Sequence, residues 1–127
     1  MRTALVALAL VIALVLAFRW FTGGGERATP DEVASAAASG DATFLDVRRP
    51  GEFASGHVAG ARNADVLDAS FQGRVADLDR DRTVYVYCAS GVRSGRAARI
   101  LNDMGFAHVV NAGGVGDLDR AGVAMER

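Results

Sequence analysis

The chain has 127 residues, room for one domain, and carries 14 basic and 15 acidic residues. Every basic residue is an arginine, and beyond Thr22 the 12 arginines face 15 acids, a net charge of about −3 that excludes a basic nucleic-acid footprint. One cysteine excludes an internal disulfide framework, and with only two histidines it supplies too few ligands for a structural zinc site.

Residues 4–18 are fifteen apolar residues without a break, a length that fits the apolar core of a signal peptide. Extending the run to residues 3–22 gives twenty residues, roughly 30 Å of helix and about the thickness of a bilayer's hydrocarbon core. Arg19 then stands where it can snorkel, and Trp20 and Phe21 suit the interface. No small-x-small cleavage site follows. A single-pass N-terminal membrane anchor over residues 3–22 is therefore expected, with a cleaved signal and export as the alternative. Arg2 and the terminal amine balance Arg19 and Arg27, so the side of the membrane is not set.

Residues 23–28, opening Gly23-Gly24-Gly25, read as a flexible linker, and residues 29–127 as the folded domain. Thr29-Pro30-Asp31-Glu32 is a capping box with proline at the first helical position, so a helix starts there and runs to about Ser39, ending at Gly40. Residues 43–47 read as a buried strand, Pro50-Gly51 as a turn, and residues 52–54 as one helical turn. Residues 56–61 form a glycine-rich loop leading toward a short strand. Residues 66–78 show weak helical spacing. Residues 83–87, β-branched and aromatic throughout, are the strongest strand. Ala97, Ile100, Leu101 and Met104 share one face of a helix over residues 93–104, which Gly105 ends. Residues 107–110 are a further strand, and Gly113-Gly114 turns into a last short helix. Strands alternating with helices imply an α/β fold with a central, mostly parallel sheet and helices on both faces.

Cys88 stands where the strongest strand ends and a helix is about to begin. In a parallel α/β sheet, ligands bind at the carboxyl ends of strands. The backbone N–H groups of Ala89, Ser90, Gly91, Val92 and Arg93 have no helical partners and can turn inward. The helix dipole adds partial positive charge and Arg93 a full one. Such surroundings lower a thiol pKa from about 8.5 by one to several units, and a two-unit shift stabilises the thiolate by about 2.7 kcal/mol. The sole thiol is thus expected in a cradle of inward-facing amides.

Cys88-Ala89-Ser90-Gly91-Val92-Arg93-Ser94 resembles the active-site loop of single-domain rhodaneses, sulfurtransferases that carry sulfur as a cysteine persulfide. Leu45-Asp46-Val47-Arg48, Glu52-Phe53 and Gly56-His57-Val58-Ala59-Gly60-Ala61-Arg62-Asn63 are similar to the family's second signature. Met104-Gly105-Phe106 through Val110 and Gly113-Gly114 follow its closing pattern. The resemblance spans about residues 28–122 and keeps the blocks in family order. It implies a rhodanese-like domain. It also implies that Cys88 takes the outer sulfur of a small sulfur-containing anion such as thiosulfate, holds it as a persulfide on the loop amides, and passes it to cyanide or a thiol. Arg93 would attract the anionic donor. No cofactor or metal is expected. Related phosphatases have a loop one residue longer, and here Ser94 occupies their arginine position, which argues against phosphatase or arsenate reductase chemistry. A non-catalytic binding module at the membrane is the alternative.

Asp46 and Arg48, at a strand end near the loop, are candidates for supporting the site; Arg48 is expected to pair with Glu52, and Asp46 to organise backbone donors. His57 reads as a hydrogen-bonding loop residue, His108 as a strand residue without a role, and Arg96 and Arg99 as a solvated row. Leu118 stands where the family often has tryptophan, and Ala124 or a neighbour replaces its common proline, which puts the packing of the closing segment in question.

Overall fold

The computed structural model describes residues 9–13 and 26–127. From residue 26 the chain runs β1 (Glu26–Arg27), α1 (Pro30–Ser39), β2 (Thr43–Asp46), α2 (Pro50–Ala54), β3 (His57–Val58), β4 (Arg62–Asn63), α3 (Phe71–Val75), β5 (Val84–Cys88), α4 (Val92–Asp103), β6 (Val109–Gly114), α5 (Val115–Arg120) and β7 (Met125–Glu126). The five strands ordered β1-β6-β5-β2-β4 pair in parallel throughout, and β3 and β7 form a separate antiparallel pair.

The sheet is apolar on both faces because its strands alternate. Leu45, Val47, Val84, Val86 and Cys88 join one core with Phe71 and Val75 of α3 and Ala97, Ala98 and Leu101 of α4. Phe44, Tyr87 and Ala112 face the other way and meet Val33 of α1 and Leu118 of α5. Helices therefore cover both faces, as the alternation of elements implies. α1 begins as its sequence dictates: Glu32 N–H donates to Thr29 Oγ1 at 3.3 Å, Thr29 N–H donates to Glu32 Oε2 at 3.2 Å, and Gly40 takes the left-handed conformation at the other end.

Several expectations change. The single-pass anchor over residues 3–22 is corrected: among the described residues no helix is long and apolar enough to cross a membrane. The described part of that stretch, residues 9–13, is helical; the rest of residues 3–22 lies outside the described residues. The membrane localisation drawn from the anchor is corrected with it. Glu26 and Arg27, expected in the linker, form the edge strand β1 against Val110 and Asn111. Of residues 66–78, only Phe71–Val75 is helical. Gly113 and Gly114 do not turn; they close β6, where a Cβ on Gly114 would stand 2.5 Å from the Ala89 carbonyl oxygen. β6 thus runs further than its apolar residues suggest, because two glycines let it pass against the Cys88 loop. His108 precedes β6 and is exposed, its carbonyl accepting from Val84 N–H at 2.9 Å.

Candidate active site

Cys88 is the last residue of β5, and α4 starts four residues later with Gly91 as its N-cap at φ +95°. A residue with a Cβ is strained in that conformation, and glycine is not. The turn aims Gly91 N–H at Cys88 Sγ, 3.0 Å away. Ser94, one turn into the helix, puts its Oγ 3.5 Å from the same sulfur.

The sulfur is sealed, with Cys88 fully buried, rather than lying open in its cradle. Burial pushes the thiol up, since a thiolate is poorly solvated inside a protein. The Ser94 hydroxyl and the amides of Ser94, Ser90 and Gly91 act the other way and win, leaving the thiol below its ordinary value. The loop donors are therefore turned toward the buried sulfur. Of the expected loop residues, Ala89, Ser90 and Val92 form an exposed rim, and Gly91 is buried beneath it.

Arg93 does not reach toward open space. Its Nη1 and Nη2 donate to Glu52 Oε1 and Oε2 at 2.8 and 3.1 Å. The paired guanidinium holds the Glu52 carboxyl down at about 2. This corrects the expected Arg48–Glu52 pair. Arg48 turns instead to Asp46, with Nε donating at 3.1 and 3.0 Å and Nη2 at 2.7 Å, and Nη2 also donates to the Gly56 carbonyl at 2.7 Å. Asp46 Oδ1 accepts the Arg48 backbone N–H at 2.9 Å, the backbone-organising task expected of it. Arg48 lies over the Tyr87 ring, on the face of the sheet opposite the Cys88 side chain. Strand alternation thus keeps Asp46 and Arg48 away from the sulfur.

His57 is held between the Phe53 carbonyl, 2.8 Å from Nδ1, and Glu126 Oε2, 3.1 Å from Nε2, with its ring stacked on Phe53. Arg96 and Arg99 are exposed. Among the described residues no group of three or more His, Cys, Asp or Glu side chains could hold a metal ion.

Asn111 escaped the sequence reading. Its buried amide Nδ2 donates to the Gly91 carbonyl at 3.0 Å, while Oδ1 accepts from Ser94 Oγ at 2.7 Å and from Gly113 N–H at 3.0 Å. One side chain thereby ties the loop, the start of α4 and the end of β6 together. The only sequence signal is an uncharged polar residue inside an apolar strand, a position that requires a buried partner. With the hydroxyl proton given to Asn111, the thiol hydrogen points to Ser94 Oγ; once the thiolate forms, the hydroxyl can turn to the sulfur.

Residues 29–117 match the model of the rhodanese-like domain. Thiosulfate sulfurtransferase PspE of Escherichia coli strain K12 is 41% identical over 75 residues, which cover 59% of this chain and 72% of that protein. Thiosulfate sulfurtransferase GlpE of Pseudomonas putida strain KT2440 is 32% identical over 96 residues, covering 76% of this chain and 86% of that protein. A solved structure described as a rhodanese with anions from E. coli superposes with a TM-score of 0.58 at 36% identity, over 68% of this chain and 98% of its own. With a cysteine loop at the end of the central parallel strand and the match running from α1 into α5, the chain belongs to the rhodanese-like domain family.

Proposed function

We propose that the protein is a sulfurtransferase that moves sulfane sulfur from a donor such as thiosulfate to a nucleophilic acceptor through a persulfide on Cys88. The observation that carries this is the Cys88 sulfur facing the Gly91 amide at 3.0 Å and the Ser94 hydroxyl at 3.5 Å, in a setting that lowers its thiol pKa. The thiosulfate sulfurtransferases among its relatives support the reaction class.

In the first half-reaction the Cys88 thiolate attacks the outer sulfur of thiosulfate. The new S–S bond forms as the bond from that sulfur to the sulfonate breaks, and sulfite leaves with the electron pair. The persulfide anion keeps the negative charge, and the amides of Ser90, Gly91 and Ser94 suit it as they suit the thiolate. In the second half-reaction cyanide or a thiolate attacks the outer sulfur, the persulfide bond breaks, and the Cys88 thiolate returns. The donor must enter past the exposed rim of Ala89, Ser90 and Val92. Arg93 and Glu52 fix the far end of the loop.

Incubating the full-length protein with thiosulfate is expected to add one sulfur atom to its mass, reversibly with excess thiol. Cys88→Ser is expected to gain none; a Cys88→Ser protein that still transfers sulfur overturns the mechanism. The sealed sulfur favours a second reading, a non-catalytic binding module. Its mark is no persulfide with any common donor, together with partner capture that survives Cys88→Ala.

A further inference from the structure

An anionic donor calls for a cation at the loop, and the arginines flanking it are already compensated. Arg93 is clasped by Glu52 and Arg48 by Asp46. Arg27 is not. It pairs in β1 with Asn111 of β6, so its side chain leaves the sheet on the same face as that of Asn111, where α4 begins. Its Nη2 lies 3.3 Å from where a Cβ on Gly91 would stand and 3.9 Å from the equivalent point on Gly113. Gly91 thus has the sulfur at its amide and the guanidinium at its α-carbon. A side chain at Gly91 would press on the guanidinium and on the Gly113 α-carbon, each 3.3 Å from its Cβ.

No carboxylate of the described residues stands within ion-pair distance of this charge. Arg27 makes no ion pair among the described residues, and all 15 acidic residues of the chain lie from Glu26 onward, within them. The place is also unfavourable for a cation, because the first turn of α4 carries the positive end of the helix dipole. An anion at the loop relieves both at once.

We propose that Arg27, its guanidinium packed on Gly91 beside the Cys88 loop, is the specificity-determining residue that favours anionic sulfur donors, thiosulfate and alkyl thiosulfonates, over uncharged polysulfanes. This rests on the sulfur-transfer reading for its substrate class, but its test does not depend on turnover. In the full-length protein, the rate of Cys88 alkylation by anionic iodoacetate is compared with that by neutral iodoacetamide. Arg27→Gln is expected to lower the iodoacetate-to-iodoacetamide ratio by about threefold, a difference that shrinks at high salt. Arg99→Gln, an equal charge change at an exposed site on α4 without a carboxylate partner, is expected to leave the ratio unchanged. Arg27→Lys is expected to keep most of it. Equal ratios in Arg27→Gln and Arg99→Gln, or a ratio lost as fully in Arg27→Lys as in Arg27→Gln, overturn the proposal. The KM for thiosulfate is expected to rise about threefold in Arg27→Gln with kcat retained. A fall in the alkylation ratio in a protein that never forms a persulfide would sink the sulfur-transfer reading and leave anion selection at the loop standing.

Discussion

Ser94 Oγ donates to Asn111 Oδ1 at 2.7 Å, joining the first turn of α4 to β6 beside the Cys88 sulfur. Asn111→Ala removes that acceptor together with the partners of the Gly91 carbonyl and the Gly113 N–H. The expected loss of stability is about 2–4 kcal/mol, because buried polar groups are left unpaired. The second consequence is specific to the site. In the wild type the pH midpoint of iodoacetamide alkylation is expected below the ordinary thiol value. In Asn111→Ala it is expected to move up, because Ser94 and Gly91 no longer hold their places against the sulfur. An unchanged midpoint in a folded variant would remove Asn111 from the site. A depressed thiol also stabilises the fold above its unfolded-state pKa, and that contribution is lost as the pH falls through the folded value.

The Glu52–Arg93 pair has an acid signature. Glu52 is held at about 2, against an ordinary 4.5. Because the folded value is the lower one, the pair's contribution to stability is complete above pH about 4.5 and is lost as the pH falls toward about 2. Urea unfolding over this window is expected to show a steeper acid loss in the wild type than in Glu52→Gln. Parallel curves would show that the pair contributes nothing to folding.

Gly114→Ala places a Cβ 2.5 Å from the Ala89 carbonyl oxygen and 3.2 Å from its carbon. Both are backbone atoms, so either the loop or β6 must shift. A loss of about 1–3 kcal/mol is expected from overpacking. Cys88 alkylation should change with it, whereas Gly73→Ala, with open space around its Cβ, should leave alkylation as it is.

Leu118, in the position where tryptophan is common in the resemblance, is fully buried with Val33, Phe44, Val58, Tyr87, Ala112 and Val123. Leu118→Ala is expected to cost about 2–5 kcal/mol in thermal or denaturant unfolding. Leu118→Trp is expected to destabilise as well, because that core is already closed around a leucine.

The sequence alone determined what neighbours in the chain decide. The capping box at Thr29 and Glu32 set the start of α1, the β-branched and aromatic run set β5, and the spacing of Ala97 and Leu101 set the buried face of α4. Cys88 at the junction of β5 and α4 was legible for the same reason: a strand, a glycine loop and a helix in succession form a local pattern. Only the tertiary structure decided which charges meet. Glu52 found Arg93, 41 residues away, instead of Arg48, four away, because β2 and β5 are neighbours and strand alternation sends Arg48 to the Tyr87 face. Asn111 and Arg27 reached the loop in the same manner, through the pairing of β6 with β5 and of β1 with β6. A side chain's residue type fixes what it can bind, but parallel pairing across a sheet fixes which partner stands within reach.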